Sequence, residues 1–168
     1  MKQRITTDRL TLRMLRSGDL APYLTYCASP RTGGVGGPQP EHKVCERFCA
    51  MIGQWALRGF GRLAICHDPD APAIGHVGPM QYDGSPAEIT WTLWSDTHEG
   101  RGYATEAARA VLADLFANNW RSIVAHIDTD NAKSHAVARR LGGEPTGAAP
   151  APWMPNGIQY RFTVEGAG

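Results

Sequence analysis

Two glycines flank an arginine at the start of a helical pattern, in the order Gly100, Arg101, Gly102. The helix after them needs neither glycine for its stability, because its apolar residues recur at spacings of three and four. Glycines at a helix start leave backbone N–H groups open to a ligand, and the positive end of the helix dipole points to the same place. Arg101 adds a positive charge and the Thr105 hydroxyl a further hydrogen bond. The segment therefore predicts an anion site, above all for a phosphate.

Two other glycine motifs for phosphate fit this segment less well. The dinucleotide fingerprint G-x-G-x-x-G would place a glycine where Thr105 stands, and it belongs in the first strand–helix unit of a parallel sheet. The loop G-x-x-x-x-G-K-[ST] does not occur in the sequence. A nucleotide-binding module or an oxidoreductase that uses Gly100 and Gly102 on a dinucleotide stays as an alternative.

The chain before the glycines predicts a sheet. The first elements in chain order are a strand over Arg9–Leu15 and a short helix, which Pro22 begins after a cap at Ser17 or Asp19. An irregular loop over Pro30–Pro40 and an amphipathic helix over Pro40–Arg58 follow. Three further strands are predicted within 61–67, 73–83 and 88–94. Three strands joined by short turns, one of them around Gly84 to Pro86, favour an antiparallel meander.

The chain after the glycines alternates helices and strands. It predicts a helix from Gly102, a strand over Arg121–Asp128, a helix from Asp130 or Asn131 to Leu141, and a last strand over Ile158–Val164. A meander followed by this alternation predicts an α+β, or mixed α/β, domain with helices packed on a twisted sheet. With 168 residues, we expect one domain over residues 1–168.

Composition argues against several classes of protein. The formal net charge is +1, without a block of like charges, so we expect no nucleic-acid partner. No apolar run approaches the roughly 18 residues of a membrane span, and the N-terminal sequence lacks the apolar core of a signal peptide, so we expect a cytoplasmic protein without membrane contact.

The four cysteines and six histidines do not form a metal motif. Cys45 and Cys49 lie four residues apart in a helical pattern, which is typical of buried thiols in a reducing compartment. Neither H-E-x-x-H nor a close pairing of histidine with cysteine occurs. We therefore expect no metal site.

The glycine segment resembles the acyl-CoA site of the GNAT superfamily of N-acyltransferases, whose motif is [Q/R]-x-x-G-x-[G/A]. Here the motif positions run Glu99, Gly100, Arg101, Gly102, Tyr103, Ala104. The resemblance covers nearly the whole chain and is closest to the RimJ/RimL-like branch. The matching segments are TDRLTLRMLRSGDL, AIGHVG, EITWTLWSDTHEGRGYATEAARAVL and IDTDNAKSHAVARRLGG.

The resemblance implies a mostly antiparallel twisted sheet with helices on both faces and a splayed pair of central strands. It also implies acetyl-CoA as co-substrate, with the pyrophosphate held by backbone N–H groups between Glu99 and Ala104 and with Arg101, Gly102 and Thr105 nearest. Because a carboxylate would repel phosphate, we expect the Glu99 side chain to face solvent. The main chain of Leu93, Trp94 and Ser95 is expected to meet the pantetheine arm and to polarise the thioester carbonyl.

The same resemblance implies direct transfer to a primary amine. Glu88, at the start of a strand, is the expected base. Ser134 is the expected partner of the leaving thiolate, because Ala138 occupies the place of the tyrosine acid found in many family members. Asn131 is expected as a helix cap that also contacts the coenzyme, and for this residue the plain cap is an equal alternative.

The acceptor is expected between the loop over Gly33–Pro40, the helix that carries Trp55 and the tail around Trp153. It is an amine-bearing small molecule or a protein N-terminus. A non-catalytic acyl-CoA-binding module is the alternative of another class. The sequence leaves both a monomer and a homodimer open.

Overall fold

The computed structural model describes residues 1–35, 37–81 and 85–164. Over these residues the chain forms eight strands and four α-helices. The strands are β1 (Arg4–Thr6), β2 (Thr11–Met14), β3 (Leu63–Cys66), β4 (Gly75–Met80), β5 (Glu88–Leu93), β6 (Ser122–Asp128), β7 (Glu144–Pro145) and β8 (Gly157–Thr163). The helices are α1 (Leu20–Cys27), α2 (Glu41–Arg58), α3 (Tyr103–Ala117) and α4 (Ala132–Arg140), with short 3-10 helices at Ser17–Asp19, Pro30–Val35 and Asp96–His98.

The strands form one sheet in the order β1-β2-β3-β4-β5-β6-β8-β7. Neighbouring strands are antiparallel, with the exception of β5 and β6, which are parallel. The predicted antiparallel meander is therefore confirmed as β3, β4 and β5, and the α+β class is confirmed with it.

The centre of the sheet is splayed between β5 and β6. These two strands share one residue pair, Glu88 with Val124, whereas β5 pairs with β4 over its whole length from Glu88 to Leu93. Beyond Glu88 the two strands diverge and leave their facing backbone groups unpaired with each other. The expected splayed pair of central strands is present.

Helices cover both faces of the sheet. Side chains alternate along a strand, so Leu63 and Ile65 of β3 join the core under α3 and α4, whereas Ala64 and Cys66 join the core under α1 and α2. On β6, Ile127 likewise faces the core under α3 and α4. Glu88 and His126 therefore lie on the side of the sheet that α1 and α2 cover.

The apolar spacing of α2 explains both its length and its buried face. Its buried residues are Val44, Phe48, Met51 and Trp55, and its last turn ends on Gly59 with φ 70°. That left-handed conformation favours glycine and ends the helix. The predicted helix over Pro40–Arg58 agrees with α2 to within one residue. The expected burial of its two thiols is wrong, because Cys45 is only half-buried and Cys49 is exposed, beside the buried face and not on it.

The structure corrects the prediction in several places. Strands β1 and β7 were not predicted, because segments of three and two residues carry no alternation signal. Helix α1 begins at Leu20 after a 3-10 turn and not at Pro22. Part of the loop over Pro30–Pro40 is a 3-10 helix. The predicted end of the strand at Tyr82 and Asp83, and Gly84 of the predicted turn, lie outside the described residues.

Arg13 and Asp19 form a buried ion pair behind β2. Arg13 Nη1 lies 2.7 Å from Asp19 Oδ2, and Nη2 donates to Oδ1 at 2.9 Å. In the sequence, Arg13 is one of the polar residues that alternate with Leu10, Leu12 and Met14, which predicts a strand with its polar side outside the core. That expectation is wrong for Arg13, because its side chain is 11% exposed and that of Asp19 is 1% exposed. The Arg13 guanidinium also donates to the carbonyls of Pro69 and Ala71. The pair therefore ties the start of α1 to the loop after β3.

No helix in the described part of the chain is long and apolar enough to cross a bilayer.

Candidate functional site

A cleft of about 1870 Å³ runs along the gap between β5 and β6. Ten of the predicted site residues line it: Glu88, Leu93, Glu99, Gly100, Gly102, Tyr103, Ala104, Thr105, Asn131 and Ser134. The start of α3 and the start of α4 form one end of the cleft, and α1, α2 and the tail around Trp153 border the other. The structure thus brings most of the predicted residues together in one place.

The backbone of the loop before α3 requires both of its glycines. Gly100 has φ 70° and Gly102 has φ 79°, values in the left-handed region that favours glycine. A Cβ built at Gly100 would meet no atom within 4 Å, so the loop surface is open there. The N–H groups in the first turn of α3, from Tyr103 to Thr105, have no acceptor inside the helix. Together these groups form a concave set of donors.

Arg9 fastens this loop to the start of the chain. Its Nη1 donates to the Arg101 carbonyl at 2.9 Å, and its Nε donates to Glu106 Oε2 at 2.7 Å. Thr7 Oγ1 donates to Glu106 Oε1 at 2.6 Å. Burial alone would raise the pKa of Glu106, but the hydrogen bonds from Thr7 and Arg9 outweigh it and hold that pKa below its ordinary value. Sequence reasoning missed Arg9 because its partner lies 97 positions away.

The side chain of Glu99 does not face solvent as expected. It forms ion pairs with Arg31 and Lys133, each at 2.5 Å, and its side chain is 26% exposed. Burial would raise the pKa of Glu99, but hydrogen bonds from Lys133 and Arg31 hold it below its ordinary value. The expectation of a solvent-facing carboxylate came from its repulsion of phosphate, and the two cations neutralise that charge. Neither cation was predicted.

Only the first residue of the predicted stretch from Leu93 to Ser95 faces the cleft. The Trp94 N–H donates to the Ile74 carbonyl at 2.8 Å on the β4 side. Because backbone groups alternate between the two neighbours of a strand, the Leu93 N–H points toward the gap. Ser95 caps the 3-10 helix at Asp96–His98 by accepting from the Thr97 N–H. Neither Trp94 nor Ser95 lines the cleft, and Arg101 also has its side chain outside it.

Glu88 places a buried carboxylate at the point where β5 and β6 diverge. The residue is 5% exposed and lines the cleft. Its Oε2 lies 3.0 Å from His126 Nδ1 on the neighbouring strand. A carboxylate of this kind, held at the branch of two strands, can accept a proton from a group inside the cleft.

Helix α4 brings a hydroxyl to the cleft. Asn131 Oδ1 accepts from the Ser134 N–H at 3.0 Å, so Asn131 caps the helix, as both alternatives for this residue require. Asn131 also lines the cleft, and its contact with the coenzyme stays a prediction. Ser134 is half-buried and lines the cleft. Ala138, one turn further on, is fully buried and carries no acidic group. Ser134 is therefore the hydroxyl that this helix offers to a ligand.

The side of the cleft under α1 and α2 is aromatic. Tyr23 and His76 line it, and the Trp94 indole donates to His76 Nδ1 at 3.0 Å. Burial lowers the pKa of His76 well below its ordinary value, and the charges of Arg62 and Arg47 lower it further, so the ring stays neutral as an acceptor. Burial also raises the pKa of Tyr23 to about 12.

The expected acceptor surroundings are placed as follows. Gly33 and Trp153 line the cleft, whereas Trp55 packs in the core at 6% exposure and does not. Additional cations that line the cleft from α3 and α4 are Arg109, Lys133 and Arg140. Their positions on two helices carried no signal in the sequence. In the described ranges, no group of three or more potential metal ligands comes together.

Comparison with known proteins gives consistent matches. The family model for the acetyltransferase (GNAT) domain matches residues 9–144. The crystal structure of an acetyltransferase from Agrobacterium tumefaciens strain C58 is 36% identical with a TM-score of 0.88, covering 96% of this chain and 95% of that one. The uncharacterised N-acetyltransferase YnaD of Bacillus subtilis strain 168 is 34% identical over 80 residues, 46% of each chain, so the match spans less than half of that protein. The microcin C7 self-immunity acetyltransferase MccE, solved with acetyl-CoA and AMP, shares the fold at 16% identity and a TM-score of 0.76, over 94% of both chains.

Proposed function

Since the chain belongs to the GNAT acetyltransferase family, we propose that it transfers an acetyl group from acetyl-CoA directly to a primary amine, on a small molecule or a protein N-terminus. Three features in one cleft support this: the glycine loop before α3, the gap between β5 and β6, and the buried Glu88 carboxylate. We take residues 1–168 as one domain of this family.

The loop before α3 fits a pyrophosphate. The N–H groups in the first turn of α3 have no acceptor inside the helix, the loop surface is open at Gly100, and anions bind such helix starts. Lys133, in the first turn of α4, lies beside this loop through its ion pair with Glu99 and offers complementary charge, and Arg109 and Arg140 are further cations that line the cleft. From there a pantetheine arm would follow β5, whose edge beyond Glu88 does not pair with β6 and meets the Arg31 guanidinium at the Leu93 carbonyl.

Acetyl-CoA supplies the thioester, and the chain supplies positioning and proton transfer. The amine nitrogen bonds to the acetyl carbonyl carbon while the carbon–sulfur bond breaks. Glu88 takes the proton that leaves the amine, directly or through a water. The Leu93 N–H donates to the carbonyl oxygen as negative charge develops there, a contact worth about 3 kcal/mol in other acyl transfers. Ser134 donates a hydrogen bond to the departing sulfur, whose proton comes from water.

The base strength required depends on the acceptor. An α-amine with a pKa near 8 costs about 1 kcal/mol to deprotonate at pH 7, whereas a lysine amine costs over ~4 kcal/mol. A single carboxylate is sufficient for the first case. We therefore propose an amine of α-amine basicity as the acceptor.

We also propose that the chain belongs to the RimJ/RimL-like branch of the family. The support is the sequence N-x-x-S at Asn131 and Ser134, together with Ala138 in place of a tyrosine. In this arrangement the hydroxyl near the leaving sulfur comes from the first turn of α4 and not from its last turn.

Replacing Ser134 by alanine is expected to lower kcat about tenfold, because a hydrogen bond to a developing charge is lost. The KM for acetyl-CoA should change little. The measurement is steady-state kinetics with the best amine of a panel, and Ser122→Ala, an exposed serine on β6, serves as the matched control. A kcat within about a factor of two of the wild type would reduce Ser134 to a neighbour of the coenzyme.

Acetyl-CoA is expected to raise the unfolding midpoint by several degrees. A ligand at about 100 times its Kd adds roughly 2.7 kcal/mol to the free energy of unfolding. The measurement is a thermal shift with acetyl-CoA, CoA, NAD and ATP in parallel. A shift with NAD alone would contradict the coenzyme assignment. A shift with acetyl-CoA but no acetylation of any amine would favour the non-catalytic module.

A further inference from the structure

Three polar side chains form a row across the sheet on the side covered by α1 and α2. Glu88 lies on β5, His126 on β6, and Gln159 on β8 directly opposite His126. His126 Nδ1 lies 3.0 Å from Glu88 Oε2, and His126 Nε2 lies 3.0 Å from Gln159 Nε2. We propose that His126 is a positioning residue for the Glu88 base, whose Nδ1–H holds Oε2 and leaves Oε1 for the acceptor amine. This inference rests on the proposed acetyl transfer.

The hydrogen-bond network sets the tautomer of His126. Thr146 Oγ1 donates to Gln159 Oε1 at 2.9 Å, and the Ala148 N–H donates to Thr146 Oγ1 at 3.2 Å. The Gln159 amide therefore turns its NH₂ group toward the histidine. Because an amide NH₂ is only a donor, this orientation makes His126 Nε2 an acceptor and places a ring proton on Nδ1, where the Glu88 carboxylate, an acceptor, lies 3.0 Å away. That proton lies on the side of Glu88.

In this tautomer His126 has no lone pair free to act as the base. The Trp153 ring packs edge-on against the imidazole, at 5.5 Å between centroids. Nε2 is occupied by Gln159, so neither ring nitrogen is left with a lone pair for the acceptor amine. The Glu88 carboxylate, by contrast, keeps Oε1 for a second partner.

His126 Nδ1 and Glu88 Oε2 are at hydrogen-bond distance, but the angle between them is not that of a hydrogen bond. His126 Nδ1 is buried and makes no hydrogen bond within the described residues, although Oε2 is 3.0 Å away. The last torsion of a glutamate is broad, so a rotation of the carboxylate can align the pair. On the opposite side of Glu88 is Met80 of β4, whose sulfur contacts the Arg62 guanidinium, and both of these residues also line the cleft.

The test compares two substitutions of the same ring. His126→Gln keeps a polar group near Nε2 but removes the donor near Nδ1, whereas His126→Asn restores a donor at the Nδ1 position. For His126→Gln we expect kcat/KM to fall about tenfold, because the carboxylate loses the donor that orients it, and the acidic limb of its pH profile to move to higher pH. His126→Asn should recover most of the loss. The affinity for acetyl-CoA should stay unchanged in both.

His135→Gln is the matched control. His135 is a buried histidine of α4 whose Nδ1 lies 3.0 Å from the Tyr160 hydroxyl, and it does not line the cleft. Its pH profile should match that of the wild type. A wild-type profile in His126→Gln, or a His126→Asn protein no better than His126→Gln, would overturn the positioning role. A wild-type protein that binds acetyl-CoA but acetylates no amine would overturn the proposed function together with it.

Discussion

Glu88→Gln is expected to lower kcat/KM by about 10²-fold or more near neutral pH, the usual contribution of a general base. Glutamine keeps the size of the buried side chain, so the pairing of β5 with β4 should survive. The loss should shrink as the pH rises, because an amine that is already neutral needs no base. The measurement is the pH profile of kcat/KM with the best amine of a panel, together with the Kd for acetyl-CoA.

Glu41→Gln is a suitable control, since Glu41 is an exposed carboxylate in the first turn of α2. Its kinetics should equal those of the wild type. If Glu88→Gln lost activity by the same factor at every pH, the carboxylate would be acting through structure. An unchanged profile with unchanged activity would remove Glu88 from the mechanism.

Asp19→Ala is expected to lower the free energy of unfolding by about 3–5 kcal/mol, because it leaves the buried Arg13 guanidinium without its carboxylate. The loss includes hydrogen bonds from the Arg16 and Ala73 N–H groups to the same side chain. Urea denaturation measures it as a lower midpoint. Glu46→Ala breaks the exposed pair with Lys43 and should leave the midpoint in place. An equal, small effect of both substitutions would contradict this ranking.

The same pair gives the protein a defined response to acid. Burial alone would raise the pKa of Asp19, but hydrogen bonds from Arg13 and from backbone N–H groups outweigh it and hold that pKa below its ordinary value. Its stabilisation is therefore complete above the pKa of the unfolded chain, near pH 4, and is lost as the pH falls through the lower folded value. In Asp19→Ala the decline of stability below about pH 4 should be less steep.

The local elements of the fold were predictable because their signals are local. The apolar spacing of α2 and the glycine after it predicted that helix to within one residue. The two faces of β2 were not predictable in the same way. Arg13 occupies a position that alternation assigns to solvent, and it is buried because a carboxylate six residues away on a different element meets it. Pairs of this kind depend on tertiary geometry.

The same difference between local signals and tertiary contacts applies to the candidate site. The conformation of Gly100 and Gly102 follows from the residue type, and the loop they form was predicted from them. The partners of Glu99, by contrast, come from a distant 3-10 helix and from α4, so its inward orientation had no sequence signal. His126 gave no motif either, because its link to Glu88 exists only where two strands of a sheet meet.

The single residue pair that joins β5 and β6 also affects how the sheet unfolds. Strands β1 to β5 form one hydrogen-bonded block, β6 to β8 form another, and α3 packs against residues of both. A ligand along the gap would bridge the blocks and make their opening more cooperative, so part of its binding energy would appear as resistance to partial unfolding. Proteases act on such partly opened states. In a cell the lifetime of this protein would then rise and fall with the supply of its own co-substrate.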